Sequence, residues 1–295
     1  MTEEADDRAG SREGLASLSW LMLTNDQEKL TLEALQSYED AGWSAPLLLL
    51  DNGAGGDSAS VRERFAHRLG HDLQVFGEGT NLGAPGGRNY LIERASSDWL
   101  VFVDNDVLFT EEVALFIDEV VRSSSDLVLP IILGPDGRVC CAGGTFQPWL
   151  SWSRNSYVGA DVEAARRNLD QGADWGPAAC LAVRRSTVEA MRGFDAVQHG
   201  LYGAADLDFC LRIRKAGGKS VRSAAAPVIH LDVGARSNPA RKYQASRKGS
   251  ARVRAAHGVW ITRYPSAWFW YLRRSPRLEL PRRWLRRARA SSSTR

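Results

Sequence analysis

Trp99-Leu100-Val101-Phe102-Val103-Asp104-Asn105-Asp106 runs five apolar side chains together and closes them with two carboxylates flanking an amide. An apolar run without alternation is what a strand covered on both faces requires. Working outward, the same pattern recurs at residues 18–23, at 46–50 ending in Asp51, and at 73–76. Segments with helical spacing lie between these runs. One starts near Gln27, carries Leu30, Ala34, Leu35 and Tyr38 on one face, and stops at Gly42. Val61, Phe65 and Leu69 mark a second, 89–95 a third, and 111–122 a fourth through Val113, Phe116, Ile117 and Val120. Strands and helices alternating over short links predict an α/β fold, with a mostly parallel central sheet flanked by helices on both faces.

The second half is less regular. Residues 126–133, the turn Gly134-Pro135-Asp136-Gly137 and residues 138–142 read as one hairpin. Residues 146–172 form a long polar stretch with Trp149, Trp152 and Tyr157, read as containing a loop. A strand at 180–183, a short helix at 187–191, a helix at 206–216 ended by Gly217-Gly218 and a strand at 228–230 complete the set.

Composition bounds the rest. A chain of 295 residues with 44% hydrophobic and 25% charged residues can bury one large core, or one core plus a small appendage. No apolar run is long enough to span a membrane, and the N-terminus lacks the basic-then-apolar layout of a secretory signal. A cytoplasmic home is expected, with Cys140, Cys141, Cys180 and Cys210 reduced; their spacing suits neither a zinc cluster nor a disulfide framework. Arg outnumbers Lys 33 to 5, pointing to a GC-rich bacterial source. Charge is polarised: residues 236–295 hold 17 basic and one acidic residue, the remainder 21 basic and 34 acidic. Expected divisions are a disordered acidic N-terminus (1–16), a catalytic domain (17–235) and a basic, aromatic-rich helical extension (236–295). With Trp260, Trp268, Phe269, Trp270, Tyr271 and Trp284 among its arginines, that extension suits either an anionic membrane surface or the acidic body of the protein. No nucleic-acid-binding module is recognisable.

In doubly wound sheets ligands sit beyond the carboxyl ends of the strands. Four polar clusters fall at or soon after such ends: Thr24-Asn25-Asp26, Asp51-Asn52-Gly53, Asn81-Leu82-Gly83 and Asp104-Asn105-Asp106. They are expected to converge on one edge and to seat a nucleotide. A diphosphate leaving group needs its developing charge neutralised, which a hard divalent cation held by carboxylates does well. Two carboxylates spaced i, i+2 could divide that work, although a polar turn after a strand has the same composition. Asp51 could accept the imide N–H of uracil or thymine, or simply close an Asx-turn. Asn81 and Arg88 belong to a glycine-rich loop opening a helix, where N–H groups point outward. Asp206 is expected as a helix N-cap and as a base taking a hydroxyl proton. His230 ends an apolar strand, where a hydrogen-bonded structural role is the ordinary one, and only Asp106 for company favours ligation.

In chain order, TND (24–26), LLLLDNG (47–53), NLGAPGGRN (81–89), VFVDND (101–106), GFD (193–195), YGAADLDFCLR (202–212) and HLDVG (230–234) resemble the family 2 glycosyltransferases of the GT-A fold, in particular a bacterial rhamnosyltransferase-like branch. The resemblance covers about residues 17–235. It implies inverting transfer of a sugar from a dTDP- or UDP-linked donor to a hydroxyl acceptor, with Mn2+ or Mg2+. It also implies roles: Asp51 for the base, Thr24, Asn25, Asn81 and Arg88 around the nucleotide, Asp104 for the ribose, Asp106 and His230 for the metal, and Asp206 as catalytic base. Trp175 and Asp208 fall on the acceptor side. Three positions depart from the family pattern: Ala205 stands where Glu usually precedes the base, Ala196 where Glu usually follows GFD, and Pro177 or Ala178 where a Gly is common. Ala205 and Ala196 keep open a catalytically idle nucleotide-sugar-binding protein. A nucleotidyltransferase on a related sheet would need a glycine-rich basic loop after the first strand, where this chain has TNDQEK.

Overall fold

The computed structural model describes residues 17–42, 45–53, 56–70, 72–77, 79–147, 152–169, 172–199, 204–231, 248–249, 251–253 and 255–257. The N-terminal sixteen residues, Trp149 and nearly all of the basic extension lie outside this set. In chain order the elements are β1 (Leu18–Thr24), α1 (Glu28–Asp40), β2 (Leu47–Asp51), α2 (Gly56–Arg64), β3 (Leu73–Gly77), α3 (Gly83–Arg94), β4 (Trp99–Asp104), β5 (Val107–Phe109), α4 (Val113–Arg122), β6 (Leu127–Leu129), β7 (Ile132–Leu133) and β8 (Val139–Cys141). There follow β9 (Gly144–Gln147), β10 (Trp152–Asn155), α5 (Val162–Arg167), β11 (Cys180–Arg184), α6 (Arg185–Ala190), α7 (Ala196–His199), α8 (Ala205–Lys215), β12 (Ser220–Arg222) and β13 (Val228–His230).

The central sheet has seven strands in the order β12-β6-β11-β4-β1-β2-β3. Strands β3, β2, β1 and β4 are parallel, β11 runs antiparallel between β4 and β6, and β12 is parallel to β6. Side chains on a strand alternate between faces, so one apolar run feeds two cores. Trp20, Met22, Leu47, Leu49, Trp99, Val101 and Val103 pack with Ala34, Leu35 and Tyr38 of α1, Val61 of α2 and Phe116 of α4. Leu21, Leu48, Leu50, Leu100 and Phe102 point the other way, onto Leu91 of α3, Val188 of α6 and Phe209, Cys210 and Ile213 of α8.

Two predicted elements differ. The stretch 126–133 is not one strand: β6 stays in the central sheet, while β7 pairs with β8 in a second sheet ordered β5-β13-β7-β8. Pro130 lies between them and has no N–H to give a ladder. The stretch read as containing a loop holds the β9–β10 hairpin and α5, whose N-cap Asp161 accepts from the Ala164 N–H at 3.1 Å. All four cysteines are free, and burial pushes the Cys141 and Cys210 thiols up to about 12, as expected for inert core residues.

Candidate active site

Register assembles the site. In the parallel sheet Thr24 pairs with Asp51, Asp51 with Gly77, and Leu23 with Asp104, so β1, β2, β3 and β4 end at one level. Three asparagines then bind the departing loops together. Asn52 accepts from the Leu82 N–H at 2.8 Å and donates to the Gly83 carbonyl at 3.2 Å. Asn81 donates to Asn25 at 2.9 Å and accepts from the Gly83 N–H at 2.8 Å. Asp51 is buried, and its carboxylate accepts from the N–H groups of Gly53 at 3.1 Å and Ser58 at 3.2 Å, the latter in the first turn of α2. A Cβ at residue 53 would stand 2.6 Å from an Asp26 carboxylate oxygen and 3.1 Å from the Asp26 backbone nitrogen, so the absence of a side chain at Gly53 eases the close approach of these loops. Thr24 differs from its expected role: its hydroxyl faces inward, to Thr31, Asp57 and Asn105, rather than toward the edge.

The acidic cluster depends on a second pairing. Antiparallel β5 and β13 set His230 opposite Val107, the residue after Asp106, and the Leu231 N–H donates to the Asp106 carbonyl at 2.8 Å. His230 Nε2 then lies 3.2 Å from Asp106 Oδ1. One donor atom each from Asp104, Asp106 and His230 lies within 4.8 Å of the others. Between the two acids, Asn105 turns into the core and donates to the hydroxyls of Thr24 at 3.2 Å and Thr31 at 3.1 Å, bracing the turn from behind. Arg88 pairs with Asp104 at 2.9 Å. Its place on α3 depends on Gly87, where a Cβ would come 2.9 Å from Leu23 on β1.

The electrostatics favour a cation here. Burial lowers the proton affinity of His230, but hydrogen bonds to Asp106 and Cys140 and the charges of Asp106 and Asp104 outweigh it, holding the imidazole pKa at about 10. Burial also raises the Asp104 carboxyl; Arg88 and His230 oppose this, while Asp106 and Asp206 add to it. Two ligands each about 2.1 Å from a small divalent ion are at most about 4.2 Å apart. The three donors therefore need close by only a few tenths of an ångström to grip one ion, and two carboxylates with an imidazole could hold a divalent metal.

Across the edge stands α8. Asp206 is not its N-cap as expected; that position is Ala204, in the left-handed region at φ 51° and without a side-chain cap. The helix begins one residue earlier than the sequence suggests, placing Asp206 in its first turn, half-buried, where its carboxylate accepts from the Leu207 N–H. Its charge reaches Asp104, which ties α8 to the acidic cluster. Phe194 of the GFD run sets the spacing: it stacks on Phe209 of α8 (centroids 4.4 Å apart), meets Phe102 of β4 edge-on, and lies under the Arg88 guanidinium. Asn89 grips Phe194 twice, accepting from its N–H and donating to its carbonyl, both at 2.8 Å.

The two residues expected on the acceptor side lie on α8 and against it. Asp208 is buried, and its carboxylate is engaged by Arg212 at 2.9 Å and His257 at 2.7 Å. Trp175 packs against Leu207, Leu211 and Val253, and its indole N–H has no hydrogen-bond partner among the described residues. Sequence reasoning overlooked Asn89, Asn105, Cys140 and His257. The first two lay inside quoted motifs, whereas nothing local marked His257.

Known proteins bear on this geometry. The family model described as glycosyl transferase family 2 matches residues 25–138, a span that includes Asp51, Asn81, Arg88, Asp104 and Asp106 and ends before Asp206 and His230. No curated protein matches the chain. Among solved structures, the chain is similar to GalNAc-T7 with UDP, GalNAc and Mn2+ (TM-score 0.59, 14% identity, 75% of this chain and 44% of that one). It is also similar to S. aureus TarS 1-349 in complex with UDP (0.51, 19%, 81% and 65%). A third is the mannosyltransferase PcManGT from Pyrobaculum calidifontis with GDP-Man and Mn2+ (0.52, 15%, 92% and 83%). The chain spans less than two thirds of the first two, and at such identities the likeness is one of fold. Residues 25–138 therefore match a glycosyltransferase family 2 model, and the sheet that holds them has the GT-A fold.

Proposed function

We propose that this protein is a metal-dependent inverting glycosyltransferase, carrying a hexose such as rhamnose from a dTDP- or UDP-linked donor to a hydroxyl acceptor. One observation carries the reading: Asp104, Asp106 and His230 each bring a donor atom within 4.8 Å of the others at the edge where the tips of β1, β2 and β4 meet. Asp106 and His230 would hold Mn2+ or Mg2+, which neutralises charge on the departing diphosphate. Asp51 would meet the base, Asn25 and Asn81 would line the nucleotide, and Arg88, paired with Asp104, would hold that carboxylate for a ribose. Asp206, in the first turn of α8, takes the proton of the attacking hydroxyl, as single-displacement inversion needs. That similar structures contain UDP or GDP-mannose, two of them with Mn2+, supports a pyrophosphate with a cation as the first ligand to try. Among the described residues no helix is long and apolar enough to cross a membrane. The setting proposed with this reading is cytoplasmic, the basic extension meeting an anionic membrane that bears the acceptor.

The test is a panel of nucleotide sugars, screened for thermal stabilisation with and without Mn2+ and then for turnover. Asp206→Asn is expected to lower kcat by about a thousandfold while leaving donor affinity unchanged. Full turnover in that variant would remove Asp206 as the base.

A further inference from the structure

We propose that His257, far along the chain in the C-terminal extension, is a positioning residue that fixes the first turn of α8 and with it Asp206. This rests on Asp206 being the base. The start of α8 has little of its own to define it, since Ala204 offers no side-chain cap and adopts a left-handed backbone. Two residues beyond Asp206, Asp208 turns the opposite way, into a buried junction. One of its oxygens takes His257 Nε2 at 2.7 Å, and because a carboxylate only accepts, that nitrogen carries the hydrogen. The other oxygen takes Arg212 Nε at 2.9 Å. Arg212 continues the chain of contacts, donating to the carbonyls of Met191 at 2.7 Å and Gly193 at 2.8 Å. Gly193 leads directly into Phe194, which lies beneath Arg88.

Val253, one helical turn before His257, is fully buried on Leu207 and Leu211, so the contact has an apolar half as well as a polar one. Through His257 and Val253 the described residues 251–253 and 255–257 thus hold the first turn of α8 from outside, although they do not cap its N–H groups. Of the two roles the sequence left open for the extension, this stretch takes the one in which it packs on the body of the protein.

The experiment compares the full-length protein with His257→Ala and His257→Gln, the latter keeping an N–H donor for Asp208. In His257→Ala, kcat for the best donor falls about tenfold to a hundredfold. The Kd for UDP with Mn2+ stays within about twofold, because that end of the site lies on other strands. Hydrogen exchange in α8 quickens, and Gln restores both rate and protection. Unchanged kcat overturns the proposal, as does loss of UDP affinity and melting temperature together without recovery in Gln. If the wild-type protein turns over no donor, it is the transferase reading that fails. The exchange rate of α8 then decides separately whether His257 orders that turn, and equal rates in wild type and His257→Ala overturn the proposal.

Discussion

A divalent cation bound as proposed would compete with the proton on His230 for the same ring nitrogen, and the residue-scale predictions follow from that competition. Asp106 and Asp104 hold the imidazole pKa at about 10, above its ordinary value of 6.5. A pKa raised on folding adds stability that is complete below about pH 6.5 and is lost as pH rises toward about 10. With chelator present, the melting temperature is therefore expected to lose this contribution on moving up through that window, and His230→Gln should flatten the change. Cation binding has the opposite sense, since it needs the bare nitrogen. Calorimetric Mn2+ affinity is expected to tighten with pH, by up to about tenfold per unit between about pH 6.5 and 8.5; a flat profile would exclude His230 as a ligand. Asp106→Ala removes both the ion's donor and the ring's partner. Mn2+-dependent stabilisation should disappear in a thermal melt, with the cation-free protein still folded, because the Asp106 side chain is only partly buried. Reading these residues from sequence was feasible for the acids, which end β4 in an unbroken run. His230 was legible only in the company of Asp106, since its approach is made by the β5–β13 ladder, whose partners lie over a hundred residues apart.

At the scale of elements, packing of α3 and α8 onto the sheet decides how Arg88 and Asp206 stand relative to the strand ends. Asn89 holds the backbone of Phe194 at both its N–H and its carbonyl, and Asn89→Ala strands both groups. A cost of about 1–3 kcal/mol in urea unfolding is expected, with a weaker response of kcat to the best donor than Asp206→Asn gives. Gly87→Val should cost about 1–3 kcal/mol and weaken UDP binding, because α3 must retreat from Leu23 and carry Arg88 with it. Most strands and helices were legible because their apolar spacing is strong: the five-residue β2 and the face of Ala34, Leu35 and Tyr38 appear where periodicity puts them. The misreadings have local causes. Pro130 should have divided the strand across 126–133, since a residue without an N–H cannot sit within a ladder. The cap assigned to Asp206 failed because Ala204, a poor capping residue, holds that position and leaves no chemical signature.

For the molecule as a whole, the sheet divides one apolar complement into two separate cores. Phe116 and Phe209 are fully buried on opposite faces, and replacing either with Ala should cost about 3–5 kcal/mol in denaturant unfolding. The double variant should show the sum within about 0.5 kcal/mol, as no side chain is shared across the sheet; a marked excess or shortfall would mean that the two layers are coupled. The sequence by itself determined the α/β class, the strands buried on both faces, and the polar residues waiting at the strand ends, because hydrophobic period and turn chemistry act over a few neighbouring residues. Tertiary structure alone decided that β11 runs antiparallel into the sheet, that Thr24 turns inward, that His230 reaches Asp106, and that His257 braces the helix bearing Asp206. Those outcomes depend on strand register and helix docking between distant segments. Such contacts arise from the free energy of the assembled core, to which no local pattern holds the key.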